Sequence, residues 1–187
     1  MAQALEFWFD GEADAAVRGL WRRLDKAGVP SLATRTHGRH RPHVTFALAS
    51  AIPPRTRDAL REDLRLLSIP NLWLATLAAF SASEPVLMLA AVVDTELLAV
   101  HSAVHDVLAK KVKQPSAYYL PGSWVPHCTL AQGIEPAQVT AGFAALYPVE
   151  PVRARVTEVA VVDTHTGEAE TLIDDPSQAR CRRSRSP

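Results

Sequence analysis

Pro42-His43-Val44-Thr45-Phe46-Ala47 and Pro126-His127-Cys128-Thr129-Leu130-Ala131 follow one pattern, about half a chain apart: proline, histidine, apolar, threonine, apolar, alanine. In an extended strand, residues i and i+2 share a face and lie about 6.5–7 Å apart along the chain. His43 and Thr45 therefore point one way while Val44 and Phe46 point into a core. The same holds for His127 and Thr129 against Cys128 and Leu130. A proline opens each strand, where a missing N–H is tolerated. A lone His-x-Thr is a weak signal in a chain with 7 histidines. Two in the same six-residue context are much less readily accidental, and strand-edge histidines in a structural duplication are the weaker reading.

Outward from these strands the chain alternates between the two periods. Leu5 to Phe9 reads as a short buried strand, stopped by Asp10 and Gly11. Val17, Leu20, Trp21 and Leu24 recur at helical spacing over residues 13–27, and Gly28 stands as the stop. A polar loop rich in His and Arg, residues 34–41, precedes the first motif strand, which runs to about Ala49. A helix over 55–67 follows, then strands over 72–80 and 85–93 that form a hairpin around residues 81–84. Asp94 or Thr95 caps a third helix with Leu97, Leu98, Val100, Val104 and Leu108 as its apolar face. Lys110, Lys111 and Lys113 suit its C-terminal end. The second motif strand covers 125–131, a fourth helix 135–146, and a closing hairpin pairs 152–163 with 170–173. Each half thus reads as a proline-opened strand, a helix and two strands, a weak internal repeat within one domain over residues 1–178. Residues 179–187 read as a disordered basic tail.

Composition narrows the function. Of 187 residues, 48% are apolar and 21% charged, ordinary for a globular chain with a real core. Lys and Arg number 20 and Asp and Glu number 20, so no global field attracts nucleic acid or membrane, and any phosphate must be held by a local patch. Cys128 and Cys181 are neither a disulfide framework nor a metal spacing. There is no signal-peptide pattern and no apolar run long enough for a bilayer, so a cytoplasmic monomer with no cofactor and no metal is expected.

The motif pair suits displacement at phosphorus. Attacking and leaving oxygens lie on opposite sides, so one group must take a proton and another must give one. An imidazole with a pKa near 6.5 serves either role at neutrality. Threonine hydroxyls can donate to the non-bridging oxygens. No metal is needed by this logic. If the two halves pack about a pseudo-twofold axis, His43, Thr45, His127 and Thr129 converge on one cleft.

On these motifs and their spacing, over roughly residues 4–175, the chain resembles the two-histidine phosphoesterases, and among them the bacterial 2'-5' RNA ligase-like proteins. The resemblance implies an α+β fold, with two pseudo-symmetric lobes of antiparallel sheet backed by helices and the motifs lining a central cleft. It implies hydrolysis of 2',3'-cyclic phosphate ends of RNA to a 2'-phosphate. His43 would be the acid at the leaving O3' and His127 the base for water, an assignment that sequence leaves exchangeable. Thr45 and Thr129 would hold the phosphate. Many relatives place an arginine shortly after the second motif, where this chain has Gln132. That weakens the grip on a polynucleotide end and leaves room for a small substrate.

Other residues stand near the motifs. Arg39 and His40, with His37 and Arg41, can bind flanking phosphates or simply form a solvated loop. Arg41, beside Pro42, is the weakest of them. Tyr119 can stack on a base, with Tyr118 and Trp124 less suited. His101 and His105 share a helix face, but no third metal ligand is evident and a surface helix is the better reading. His165 belongs to a turn, and Cys128 is expected to be an inert buried thiol. The partner is then an RNA end or a small cyclic-phosphate nucleotide. The rival readings are a cyclic phosphodiesterase for a small nucleotide or ADP-ribose derivative, and a non-catalytic module that binds nucleotides or RNA ends.

Overall fold

A computed structural model describes residues 2–80, 85–109 and 111–174, and its elements begin and end at the chain's punctuation residues. Strand β1 (Gln3–Phe9) leads to helix α1 (Gly11–Lys26), strand β2 (His43–Ala51), helix α2 (Pro54–Leu64), and strands β3 (Leu72–Phe80) and β4 (Val86–Ala91). Helix α3 (Thr95–Leu108), a short strand β5 (Lys113–Pro115), strand β6 (His127–Gln132) and helix α4 (Pro136–Leu146) follow. Strands β7 (Val152–Ala154), β8 (Val156–Asp163) and β9 (Ala169–Asp174) close the order. Asp10 caps α1 by accepting from the N–H groups of Glu12 and Ala13, and Asp94 caps α3 by accepting from Leu97 N–H at 2.8 Å. Gly28, at φ 76°, follows α1 in the left-handed conformation. Pro54 and Pro136 open α2 and α4, where a missing N–H is harmless. The expected turn at 81–84, Lys110 and the expected basic tail lie outside the described residues.

The architecture is α+β, with two antiparallel sheets. One has the order β5-β2-β1-β8-β9 and the other β6-β4-β3-β7. Helices α2 and α3 pack on the first sheet through β9 and β2. Helices α1 and α4 pack on the second through β6, β7 and β4. Gly142 lets α4 approach β4, since a Cβ there would sit 2.7 Å from Leu87 Cδ2. Phe7 of β1 and Phe46 of β2 stack at 3.6 Å within a core that runs through both layers. Among the described residues no helix is long and apolar enough to cross a membrane.

The halves of the sequence are not the two layers. The hairpin β3–β4, which follows the first motif strand, pairs with the second motif strand β6. The strands β8–β9, which follow β6, join β1 and thereby the sheet of β2. Helix α1 connects two strands of the first sheet yet packs on the second, whereas α3 leaves β4 of the second sheet and packs on the first, which β5 then joins. The expected strand over 152–163 is accordingly two strands that change sheets at Arg155. Asp10 holds that switch: its N–H donates to Arg155 O at 2.9 Å and its Oδ2 accepts from Arg155 N–H at 2.7 Å. The apolar pattern continues through the break, so periodicity does not reveal it.

Two smaller expectations need correction. Leu98 is 47% exposed, so the apolar face of α3 is Leu97, Val100, Val104, Val107 and Leu108. His101 is not on a surface helix face; it is 2% exposed. The reason is the same in both cases. The face that packs is chosen by β2 and the segment before β6, which offer His101 an aromatic ring and a carbonyl.

Candidate active site

The two motif strands pack against each other. Each carries a β-bulge at the residue after its threonine. Leu5 opposes Ala47 and Glu6 opposes Thr45, which leaves Phe46 extra; Leu87 opposes Ala131 and Met88 opposes Thr129, which leaves Leu130 extra. The bulge resets the alternation. Burial therefore runs intermediate, buried, intermediate, buried, buried over His43–Ala47 and over His127–Ala131. Leu48 and Gln132, which a regular strand would aim at the opposite face, turn to the side of the histidine and threonine. Both line one cavity with His43, Thr45 and Thr129.

Each histidine is oriented by the carbonyl two residues back. His43 Nδ1 lies 2.6 Å from Arg41 O, and His127 Nδ1 lies 2.7 Å from Val125 O. A carbonyl only accepts, so Nδ1 carries the proton as donor and Nε2 is left for chemistry. The intervening prolines favour this geometry, because the residue before a proline is held in the extended region.

The chemical surroundings of the rings differ. Glu6, buried on β1 opposite Thr45, places Oε2 3.5 Å from His43 Nδ1 and accepts from Trp8 Nε1 at 2.7 Å. The matching position opposite Thr129 is Met88. His127 instead meets the Phe80 ring edge-on at 5.1 Å. Burial holds the His127 imidazole below its ordinary 6.5, and the nearby His43 acts in the same direction, against the Val125 carbonyl, which raises it.

The threonine backbones are clamped by indoles. Trp124 Nε1 donates to Thr45 O at 3.0 Å, and Trp21 Nε1 donates to Thr129 O at 3.2 Å. The Thr45 and Tyr119 hydroxyls are hydrogen-bonded to one another, while burial, ahead of the Glu6 charge, raises the phenol above 10. His101 supports this corner. Its ring stacks on Trp124 at 3.9 Å, its Nε2 donates to Tyr119 O at 2.9 Å, and His105 Nε2 donates to Phe46 O at 3.1 Å. The cavity among these groups, about 240 Å³, is lined by Glu6, His40, His43, Thr45, Tyr119, Thr129 and Gln132 among others. His127 is not in its wall but stands close enough to His43 for the two charges to interact.

Of the remaining expected residues, His40 lines the cavity and Arg39 does not; Arg39 is exposed. Burial holds His40 down to about 4, with His37 and His43 adding repulsion. Arg41 turns away, over the Trp8 ring at 3.9 Å and onto Glu158 at 2.8 Å. Tyr118 is 83% exposed, and Trp124 is occupied by His101. Cys128 is buried against the His43 N–H, and burial pushes its thiol up to about 12. His165 is exposed in its turn. The places of Glu6, Trp21 and His101 at the site escaped the sequence reading, which has Trp21 as core and His101 as part of a surface helix. A glutamate inside the otherwise apolar Leu5-Glu6-Phe7-Trp8-Phe9 was the available signal for the first; the indole and imidazole gave none beyond helical spacing. Among the described residues no group of three or more His, Cys, Asp or Glu is placed to hold a metal ion.

The model of the 2'-5' RNA ligase superfamily matches residues 11–168. No curated protein matches the chain. Among solved structures, Kluyveromyces marxianus Usb1 is similar at 13% identity, over 91% of this chain and 97% of that one, with a TM-score of 0.45. The same protein with uridine monophosphate is similar at 12% identity and equal coverage, with a TM-score of 0.48.

Proposed function

This chain belongs to the 2'-5' RNA ligase superfamily, and on that ground we propose that it is a metal-independent phosphodiesterase which opens the 2',3'-cyclic phosphate at an RNA end to a 2'-phosphate. One repeated geometry carries the reading. Each motif imidazole spends its Nδ1 proton on the carbonyl two residues back, keeps Nε2 for proton transfer, and has a threonine hydroxyl two residues on. His127, whose proton affinity is depressed, is the base: Nε2 takes a proton from water as the water oxygen bonds to phosphorus. His43, with the Glu6 carboxylate at hand for an imidazolium, is the acid: it protonates O3' as the P–O3' bond breaks. Thr45 and Thr129 donate to the non-bridging oxygens, and Tyr119 fixes the Thr45 hydroxyl. Each proton transfer is typically worth about 10²–10⁴-fold.

A second reading keeps this chemistry for a small cyclic nucleotide. The modest volume of the motif cavity, about 240 Å³, favours a ligand no larger than a sugar phosphate at that point. The test is turnover of a cyclic-phosphate-ended RNA oligomer and of 2',3'-cyclic UMP by wild type, His43→Ala and His127→Ala, all with chelator present. The expected result is turnover by wild type and a loss of at least about 10²-fold in each variant. Binding without turnover by wild type would make the chain a binding module. Activity abolished by chelator would overturn the metal-free mechanism.

A further inference from the structure

We infer that Arg35 and the cavity beside it form a second subsite, which holds the phosphodiester of the nucleotide preceding the cyclic end. The inference rests on the phosphodiesterase reading and assigns its substrate class: an oligonucleotide rather than a mononucleotide. The cavity measures about 620 Å³ and is lined by Arg35, Thr36, Gln132, Gly133 and Glu135 among others. Thr36 and Gln132 also line the motif cavity, so the two share walls. The bulge at Leu130 is what turns Gln132 onto this boundary.

Arg35 is the cation of this cavity. Its Nη2 donates to Gly133 O at 2.6 Å, and its Nε is buried with no partner among the described residues. No carboxylate of the described residues pairs with it, although Arg18, Arg41, Arg57 and Arg61 each have one. A guanidinium has five donors in a planar fork that matches phosphate oxygens. A partly buried cation without an internal counter-charge is stabilised by an anionic ligand. Glu135 borders the same space, but it and Gln138 form the capping box of α4, at the positive end of the helix.

The backbone supports the placement. Thr36 has φ 50°, an unfavourable conformation for a β-branched residue, so the loop is held there by its surroundings. Gly133 has φ 58° and presents its carbonyl, without a side chain, to the guanidinium. Because the whole chain is neutral, such a local cation is the means by which it can recognise a second phosphate.

The experiment compares 2',3'-cyclic UMP with a five-nucleotide RNA ending in a 2',3'-cyclic phosphate, using wild type, Arg35→Lys and Arg35→Gln of the full chain. Arg35→Gln should raise KM for the oligomer at least tenfold more than KM for cyclic UMP, with kcat on the oligomer changed less than threefold. Arg35→Lys should fall between. The salt slope of log KM for the oligomer should drop by about one in Arg35→Gln. Equal losses on both substrates, or an unchanged oligomer KM, would overturn the subsite. If wild type turns over neither substrate, the phosphodiesterase reading fails instead. Anisotropy of a labelled oligomer then decides the subsite: weaker binding by Arg35→Gln than by wild type supports it, and equal binding overturns it.

Discussion

Opposite Thr45 stands Glu6, and opposite Thr129 stands Met88. One imidazole thus has a carboxylate for a neighbour, while the other has the Phe80 ring and no carboxylate at the matching position. Two groups of equal intrinsic proton affinity can be given separate acid and base roles by such environments. Glu6→Gln keeps the shape and an acceptor for Trp8 Nε1; its kcat should fall about tenfold with KM little changed, as steady-state kinetics will check. A base must be neutral to act, and His127 is held below 6.5 by burial. Its neutral form therefore persists to lower pH than that of a free imidazole, and the acid limb of kcat/KM should lie below pH 6.5. Phe80→Ser, which admits water to the ring, should move that limb upward; a pH–rate profile of the two proteins tests it.

Helix α3 works on the site without touching the substrate path, through His101, Trp124 and Tyr119 to Thr45. His101 is held down to about 4, first by burial and then by His105, so it stays neutral where a free imidazole is charged. Its folded value is below its unfolded value. The unfolded chain therefore binds more protons between pH 6.5 and 4, and stability is lost as pH falls through that window, by up to about 3 kcal/mol from this residue. His101→Asn should be less stable than wild type at pH 7 but lose less between pH 6.5 and 4. Denaturant midpoints across that range measure both effects. The paired bulges belong to this scale too. They were not legible in the motifs, because Phe46 and Leu130 look like ordinary inward positions. Only pairing with β1 and β4 makes them the extra residues and brings Leu48 and Gln132 to the cavity.

Across the whole molecule, each sheet takes strands from both halves of the chain, and α1, which connects two strands of the first sheet, covers the second. A fragment of residues 1–93 holds β1 and β2 without α3 or β8, and β3 and β4 without β6. Residues 94–187 lack β4, the strand that pairs with β6, and β1, which ties the β8–β9 hairpin to the rest of its sheet. Neither piece can bury the core that spans both layers, so neither should show a cooperative unfolding transition alone. A transition regained on mixing, followed by circular dichroism, would express the interleaving. A stably folded single fragment would contradict it.

The residue pattern was sufficient for the parts that depend on neighbours in the chain. Strand and helix periods, the Asp and Pro starts, the Gly28 stop and the shared face of each His-x-Thr pair are local preferences that a few residues express. The tautomer lock is local as well, since Arg41-Pro42-His43 and Val125-Pro126-His127 carry both donor and acceptor. Partner choice is not local. Which hairpin joins which motif strand, where the run over 152–163 changes sheets, and that Glu6 rather than an apolar residue faces His43 all follow from contacts between segments far apart in the chain. Those contacts are selected by burying one common core, and a pattern read along a single strand holds no record of the strand that will lie beside it.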